Sequence, residues 1–206
     1  MIYNELKLLK LIPVLRKIPY ETSQSLIEAL ILGGVKAIEV TMDTKNATEI
    51  IKETRQNFGD RVIVGAGTVL TIEDCISALD AGAQFIVSPS LNLAVVEHSL
   101  KNGVAVIPGV FTPTEMQTAY SAGAQMIKLF PASALSPSFI KDVKGPLSHI
   151  AIMTTGGITL ANAKSYLEAG AAAIGAGSDL INKELVKNED WALLQKETER
   201  WIELLS

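Results

Sequence analysis

The sequence predicts an α/β protein built as a single (β/α)8 TIM barrel, in which parallel strands alternate with helices around a closed sheet. Hydrophobic residues make up 48% of the chain and aromatic residues only 5%, a balance typical of α/β proteins with buried parallel strands. One pattern also repeats from end to end: a short apolar run, a loop with Gly, Pro, Ser or Thr, and an amphipathic helix. A chain of 206 residues fits one such domain, residues 1–206.

Eight short apolar runs are predicted as the strands, because each has strand length and carries the aliphatic residues that buried strands prefer. Their spacing is roughly one strand–helix unit each. They lie at residues 11–15, 37–40, 62–66, 85–88, 104–107, within 125–132, 150–153 and 172–175. Residues 1–10 carry an acid early and lack a small-residue cleavage site, so they are predicted to form a short capping helix rather than a signal peptide.

The helices are predicted from signals at their ends. Thr112, Pro113 and Glu115 form a capping box with proline at the first helical position. Several helices end in an Ala-Gly pair, whose glycine can take the left-handed C-terminal conformation: Ala81-Gly82, Ala122-Gly123 and Ala169-Gly170. An open doubly wound sheet is the competing architecture, but it usually has fewer strands and a glycine-rich loop after the first one. Here the first strand ends at Arg16.

Composition argues against several classes of function. The formal net charge is −4 and no basic cluster with interleaved aromatics is present, so we expect no nucleic-acid partner. No uninterrupted apolar stretch reaches transmembrane length, so we expect no membrane partner. Cys75 is the only cysteine, which excludes an intrachain disulfide and favours the cytoplasm. His98 and His149 are isolated, and Asp43 near Glu39 is a weak metal signal, so we expect no metal site.

Lys128 is the first candidate catalytic residue. It interrupts the apolar run Met126-Ile127-Lys128-Leu129-Phe130, and lysine is among the residues least often buried in such a run. An amine held among apolar groups can be neutral near pH 7 and attack a carbonyl carbon. The alternative is a strand-end lysine whose stem packs while its ammonium group reaches water.

Glu39 interrupts the second strand in the same way. A carboxylate and an amine that face one barrel mouth would pair a general base with a nucleophile. A buried ion pair without chemistry is the alternative for these two residues, since structural ion pairs also occur in buried sites.

The loops that follow the seventh and eighth strands indicate a phosphate site. Barrels often bind phosphate there, on backbone N–H groups and the N-terminus of a short helix. Gly156 and Gly157 follow the seventh strand, and Ser178 follows the eighth in a position to open a helix. Ordinary turn glycines are the alternative.

An ordered set of motifs along nearly the whole chain resembles the 2-keto-3-deoxy-6-phosphogluconate (KDPG) aldolases, also called 4-hydroxy-2-oxoglutarate (KHG) aldolases. The motifs are Glu39-Val40-Thr41, Gly65-Ala66-Gly67-Thr68-Val69-Leu70, Val87-Ser88-Pro89, Pro108-Gly109 with Thr112-Pro113-Thr114-Glu115, Lys128-Leu129-Phe130-Pro131-Ala132, Gly145-Pro146 and Thr155-Gly156-Gly157-Ile158. The resemblance implies a cytoplasmic, homotrimeric class I aldolase that needs no metal or other cofactor. It implies cleavage of the KDPG type of substrate to pyruvate and glyceraldehyde 3-phosphate, and of KHG to pyruvate and glyoxylate.

The resemblance also implies roles for individual residues. Lys128 would form the Schiff base and Glu39 would transfer protons. The substrate would lie against Arg16, Thr68, Pro89 and Thr155, and its phosphate against Gly156, Gly157 and Ser178.

The chain departs from the family pattern at several places. Asp43 stands where familiar members have an arginine that helps to hold the substrate carboxylate, so we expect Asp43 to point out of the pocket or to pair with a base. The carboxylate is then expected near the backbone of Gly67 and Thr68, with Arg16 as the nearest cation. Thr154 replaces a proline and Ser90 a glycine.

Other features leave the substrate open. The turn Gly175-Ala176-Gly177-Ser178-Asp179 and the segment Ser133-Ala134-Leu135-Ser136-Pro137 also resemble the sibling 2-keto-3-deoxy-6-phosphogalactonate aldolases. Two further alternatives are another phosphate-binding barrel, such as a thiamine-phosphate synthase or a sugar-phosphate epimerase, and a non-catalytic sugar-phosphate sensor. Neither of these requires both Lys128 and Glu39.

Overall fold

A computed structural model describes residues 2–206 and contains one parallel sheet wound into a nearly closed barrel. Its strands are β1 (Leu11–Leu15), β2 (Ala37–Thr41), β3 (Ile63–Gly67), β4 (Phe85–Val87), β5 (Ala105–Ile107), β6 (Gly109–Val110), β7 (Met126–Leu129), β8 (Ala151–Thr155) and β9 (Ala173–Ala176). They are hydrogen-bonded in the order β5-β4-β3-β2-β1-β9-β8-β7-β6. The predicted barrel is therefore confirmed, and each of the eight predicted strands overlaps an observed one, whereas β6 was not predicted.

The fifth predicted strand, residues 104–107, is observed as β5, and Pro108 separates it from β6, which was not predicted. Proline has no backbone N–H to donate, so a strand is commonly interrupted there. β5 pairs with β4 and β6 pairs with β7, which gives the sheet its two formal ends. The backbone bridges the break, because the N–H of Lys128 donates to the carbonyl of Pro108 at 2.8 Å.

Helices surround the sheet and follow the strands in sequence. They are α1 (Tyr3–Leu8), α2 (Ser23–Leu32), α3 (Ala47–Phe58), α4 (Ile72–Asp80), α5 (Leu93–Lys101), α6 (Pro113–Ser121), α7 (Pro137–Lys144), α8 (Leu160–Glu168), α9 (Lys183–Lys187) and α10 (Trp191–Leu205). The predicted capping box is confirmed: the N–H of Glu115 donates to the Thr112 hydroxyl at 3.3 Å, and the N–H of Thr112 to the Glu115 carboxylate at 2.7 Å. Within the described residues, no helix has the length and apolar character needed to span a bilayer.

Two hydrophobic cores hold the fold together, one between the sheet and the helices and one inside the barrel. The inner core contains Phe85, Met126 and Met153, because alternate side chains of each strand point inward. Helix α1 closes the lower end of the barrel, where the Tyr3 hydroxyl accepts from the N–H of Val106 and donates to its carbonyl, both at 2.9 Å. The predicted capping helix is thus confirmed for its described part; Met1 lies outside the described residues.

Candidate active site

The site forms one layer above the inner core, at the carboxyl ends of the strands. Ala37 and Met126 belong to the inner core. Side chains repeat their direction every second residue of a strand, so Glu39 and Lys128 also face the barrel interior, one layer higher. Met153 also belongs to the inner core, and Thr155, two residues later on the same strand, faces the barrel interior one layer higher. The same alternation that fills the barrel with apolar groups therefore brings polar groups together at its mouth.

Lys128 and Glu39 form a buried ion pair at the floor of this layer. The Lys128 ammonium nitrogen lies 3.4 Å from Oε1 of Glu39, and the two residues are 4% and 0% exposed. The ammonium nitrogen also lies 5.5 Å from the ring centroid of Phe130. Among the described residues, Oε2 of Glu39 has no hydrogen-bond partner, so one carboxylate oxygen is available to a ligand.

Two glycines provide the space that this layer needs. A Cβ atom at Gly67 would collide with Oε1 of Glu39, and a Cβ atom at Gly175 would collide with Oγ1 of Thr155. Both glycines lie in strands next to the residue they accommodate, since β2 pairs with β3 and β8 with β9. Gly67 thus has a direct steric reason: it leaves room for the Glu39 carboxylate, the candidate proton-transfer group.

Arg16 and Asp43 lie at the rim, on the loops after β1 and β2. Arg16 donates from Nε to Oδ2 of Asp43 at 2.9 Å. Partial burial opposes ionisation of Asp43, but the nearby Thr41 hydroxyl and the Arg16 guanidinium outweigh it and lower the pKa of the Asp43 carboxyl. Asp43 itself does not line the cavity, whereas Arg16 does. The expectation that Asp43 pairs with a basic residue is confirmed.

The loops after β8 and β9 form a second part of the mouth. Gly156 and Gly157 have φ angles of 95° and 70°, a left-handed conformation that favours glycine. The carbonyl of Gly156 accepts from the N–H of Ser133 at 3.0 Å. One expectation here is wrong: Ser178 begins a turn rather than a helix, and the next helix begins at Lys183. Asn182 caps that helix through its side chain, which explains the later start.

A single cavity of about 940 Å3 joins these features. All nine site residues singled out from the sequence line it: Lys128, Glu39, Arg16, Thr68, Pro89, Thr155, Gly156, Gly157 and Ser178. Thr68 enters it in the left-handed conformation, with φ of 56°, a rare state for a residue with a Cβ atom. Thr154 is fully buried and does not line the cavity, because adjacent residues of a strand point to opposite faces of the sheet and Thr155 points into the barrel.

The cavity also has lining residues that the sequence did not indicate. Lys17, Lys183 and Lys187 all border it. The last two are four residues apart on α9, a spacing visible in the sequence that marks one helix face. Nothing in the sequence indicates that this face points to the cavity. Elsewhere within residues 2–206, no group of three or more His, Cys, Asp or Glu side chains is arranged to hold a metal ion.

Comparison with known sequences shows what the chain is similar to. A family model for the KDPG and KHG aldolases matches residues 2–197. A 2-dehydro-3-deoxy-phosphogluconate aldolase of Treponema pallidum (strain Nichols) is 40% identical over 167 residues, which cover 81% of this chain and 79% of that protein. A 2-dehydro-3-deoxy-6-phosphogalactonate aldolase of Escherichia coli (strain K12) is 38% identical over 173 residues, 84% of either chain.

Solved structures agree with the sequence comparison. A KDPG aldolase from Legionella pneumophila, with pyruvate captured as a covalent carbinolamine intermediate, superimposes with a TM-score of 0.89. It is 30% identical, and the match covers 94% of both chains. A subunit of a cube-shaped cage, designed by fusing symmetric oligomeric domains, matches with a TM-score of 0.88 and 33% identity over 95% of this chain and 72% of that one.

Proposed function

This chain belongs to the KDPG and KHG aldolase family, a group of carbon–carbon lyases, and on that basis we propose a specific reaction for it. The proposed reaction is cleavage of 2-keto-3-deoxy-6-phosphogluconate to pyruvate and glyceraldehyde 3-phosphate through a lysine Schiff base. One observation carries the proposal: a buried amine and a buried carboxylate, Lys128 and Glu39, lie 3.4 Å apart on the floor of the cavity.

The first half of the reaction joins Lys128 to the substrate. Glu39 takes a proton from the ammonium group of Lys128, and the neutral amine so formed adds to the C2 carbonyl carbon and forms a carbinolamine. Glu39 delivers a proton to the carbinolamine hydroxyl, which leaves as water, and the C2 carbon becomes an iminium. The pyruvate carbinolamine seen in the Legionella relative is an intermediate of this kind in that protein.

The second half breaks the carbon–carbon bond. Glu39, now ionised, takes the proton of the C4 hydroxyl, and the electrons of the C3–C4 bond move to the iminium. Glyceraldehyde 3-phosphate leaves and an enamine remains on Lys128. Protonation of the enamine at C3 and hydrolysis of the resulting iminium release pyruvate and restore the free amine. Thus one buried carboxylate beside one buried amine suffices for every proton transfer.

The rest of the cavity provides places for the two charged ends of the substrate. We assign the C1 carboxylate to the region of Thr68 and Arg16, with Thr155 and Pro89 against the keto-acid carbons. We assign the phosphate to Gly156, Gly157 and Ser178, because all three line the cavity and the two glycines adopt the left-handed turn conformation.

The proposal leaves one choice among related substrates, which differ in the configuration of the sugar acid. One relative at 40% identity is a phosphogluconate-type aldolase, and one at 38% is a phosphogalactonate-type aldolase. The galactonate-derived phosphate is therefore the second candidate substrate, and KHG, which gives pyruvate and glyoxylate, is a third. These substrates share the 2-keto acid group that Lys128 attacks, and they differ farther along their carbon chains.

A coupled assay for pyruvate release tests the proposal. The two sugar-acid phosphates and KHG are supplied separately to the purified protein, and kcat/KM is measured for each. The expected order places the gluconate-derived phosphate first. A higher kcat/KM for the galactonate-derived phosphate would reassign the substrate, and no release of pyruvate from any of them would reject the aldolase proposal.

We further propose that the chain forms a single domain and works as a homotrimer in the cytoplasm. Support for an oligomer comes from large apolar side chains left exposed near the mouth, on the loops and helices after β3, β4 and β6: Leu70, Ile72, Ile76, Leu93 and Phe111. Leu70 and the start of α5 are joined by a hydrogen bond from the Asn92 side chain to the Leu70 carbonyl at 3.0 Å. Light scattering on the purified protein gives the subunit number directly.

A further inference from the structure

The cavity has an outer part that the proposed chemistry does not use. Its volume of about 940 Å3 lies near the upper end of the range of roughly 300–1,000 Å3 for small-molecule sites. A six-carbon keto acid with one phosphate is a small ligand for such a space. Lys17 and Pro19, on the loop after β1, line the outer part, as do Lys183, Val186 and Lys187 of α9.

The balance of the charges that form no ion pair in this cavity is positive. Within residues 2–206, no ion pair involves Lys17, Lys183 or Lys187. Of the acidic groups of the lining, Glu39 pairs with Lys128, whereas Asp179 keeps its charge and accepts from the N–H of Leu160 at 2.9 Å, so the three ammonium groups are opposed by one carboxylate. This local excess of ammonium groups occurs in a chain whose formal net charge is −4. It therefore favours an anionic ligand at this particular place.

Helix α9 follows the turn that carries Ser178, and Asp179 in that turn accepts from the N–H of Leu160, at the start of α8, at 2.9 Å. The N–H of Ile181 donates to the carbonyl of Gly177 at 2.8 Å, which closes the turn that carries Ser178. The Asn182 side chain then accepts from the N–H of Glu184 at 2.8 Å and starts the helix. Lys183 and Lys187 leave the same face of α9 because they are four residues apart.

Lys17 is held in place by its backbone. Its φ angle is 53°, in the left-handed region, and its N–H donates to the Thr44 hydroxyl at 2.9 Å. This hydrogen bond fixes the position of the Lys17 backbone at the wall of the cavity.

We infer that Lys183 and Lys187 determine specificity for phosphorylated substrates. Their ammonium groups bind the terminal phosphate from the solvent side, while backbone N–H groups near Gly156 and Gly157 bind it from within. Lys17 adds to the field that draws the dianion into the cavity. The inference rests on the proposed function and deepens it: these lysines, in addition to the glycine loops, make the enzyme selective for phosphorylated over unphosphorylated keto acids.

A set of paired variants tests this role. Lys183→Ala/Lys187→Ala removes both ammonium groups, and Lys183→Arg/Lys187→Arg retains the charge. The matched control is Lys52→Ala/Lys196→Ala, which removes two exposed lysines that do not line the cavity. For each protein, kcat/KM is measured with 2-keto-3-deoxy-6-phosphogluconate and with unphosphorylated 2-keto-3-deoxygluconate. Inorganic phosphate is tested as an inhibitor and as a ligand that raises the melting temperature.

The expected result is selective. The alanine pair should lose on the order of tenfold in kcat/KM for the phosphorylated substrate, as expected when hydrogen bonds to a charged group are removed, and less than twofold for the unphosphorylated one. It should also lose most of the phosphate-induced rise in melting temperature, while the arginine pair and the control pair keep it.

Two results would overturn the inference: equal losses on both substrates, or wild-type phosphate binding in the alanine pair. The thermal measurement requires no turnover. If the wild-type protein cleaves no keto acid, the proposed function fails, and phosphate binding still decides the role of the lysines.

Discussion

Arg16 and Asp43 are joined across the mouth of the barrel: Nε and Nη2 of the guanidinium lie 2.9 and 2.8 Å from one oxygen, Oδ2, of the carboxylate. Asp43 is an acid near the proposed binding site of the substrate carboxylate. Because it lies outside the cavity lining and pairs with Arg16, we expect it to repel an anionic substrate only weakly. Arg16 remains on the lining, with its side chain 58% exposed.

The first prediction separates the two members of this pair. Arg16→Ala should raise KM for the keto acid by a few fold to about tenfold, because a cation that faces the substrate carboxylate is lost. Asp43→Ala should change KM by no more than a few fold, because its carboxylate touches Arg16 and not the cavity. Steady-state kinetics on both variants checks this. Loss of activity in Asp43→Ala with a silent Arg16→Ala would give Asp43 an active role instead.

The second prediction concerns the covalent adduct. Incubation with pyruvate and borohydride should inactivate the protein irreversibly and add one reduced pyruvate unit to Lys128, as peptide mass spectrometry would show. Lys144 is the matched internal control. Burial lowers the pKa of its amine, yet that amine donates to the carbonyls of Ser148 and Ile150 at 2.7 and 3.1 Å, away from the cavity. A label on Lys144 would mean that amine reactivity, and not the cavity, selects the site.

The third prediction addresses proton transfer by Glu39. Glu39→Gln keeps the shape of the side chain but cannot accept a proton. Since general acid–base catalysis typically contributes about 10²–10⁴-fold, kcat should fall by that order while KM changes little. The Glu39→Asp variant keeps the acid and should recover part of the rate. Near-normal kcat in Glu39→Gln would remove this residue from the mechanism.

The fourth prediction tests the space reserved by Gly67. In Gly67→Ala the added methyl group collides with Oε1 of Glu39 and must displace the carboxylate from Lys128. We expect a large fall in the rate of pyruvate trapping, a step that needs no phosphate. Gly177→Ala is the control, because no atom lies within 4 Å of its added Cβ. Equal trapping rates in the two variants would show that Glu39 tolerates displacement.

The architecture was largely predictable because it follows from local patterns. Buried parallel strands require apolar runs, and the capping box at Thr112 and Glu115 is a short-range signal. That the nine proposed site residues line one cavity was predictable in part because strand ends converge at one face of a barrel and because Lys128 and Glu39 are costly to bury without a partner. For Arg16, Thr68, Pro89 and Thr155 the prediction came from the resemblance to the KDPG aldolases.

Two kinds of feature were not predictable in this way. Ser178 was expected to open a helix, but the side chain of Asn182 provides the cap and moves the start to Lys183. The cavity-facing lysines of α9 were missed because a short helix with Lys183 and Lys187 on one side can turn that side to solvent. Which way that side faces depends on how α9 packs against the barrel, and no short sequence motif indicates that packing.

The buried pair of Lys128 and Glu39 has a consequence for how this protein can be divided. The two residues are 89 positions apart, and they lie in opposite halves of the chain, on β7 and β2. A fragment that ends after β4 would contain the acid without the amine, and its complement the amine without the acid. Turnover therefore requires both halves of the barrel. Two separately produced half-barrels should each be inactive, and the activity that returns on mixing them would measure the fraction that associates in the native arrangement.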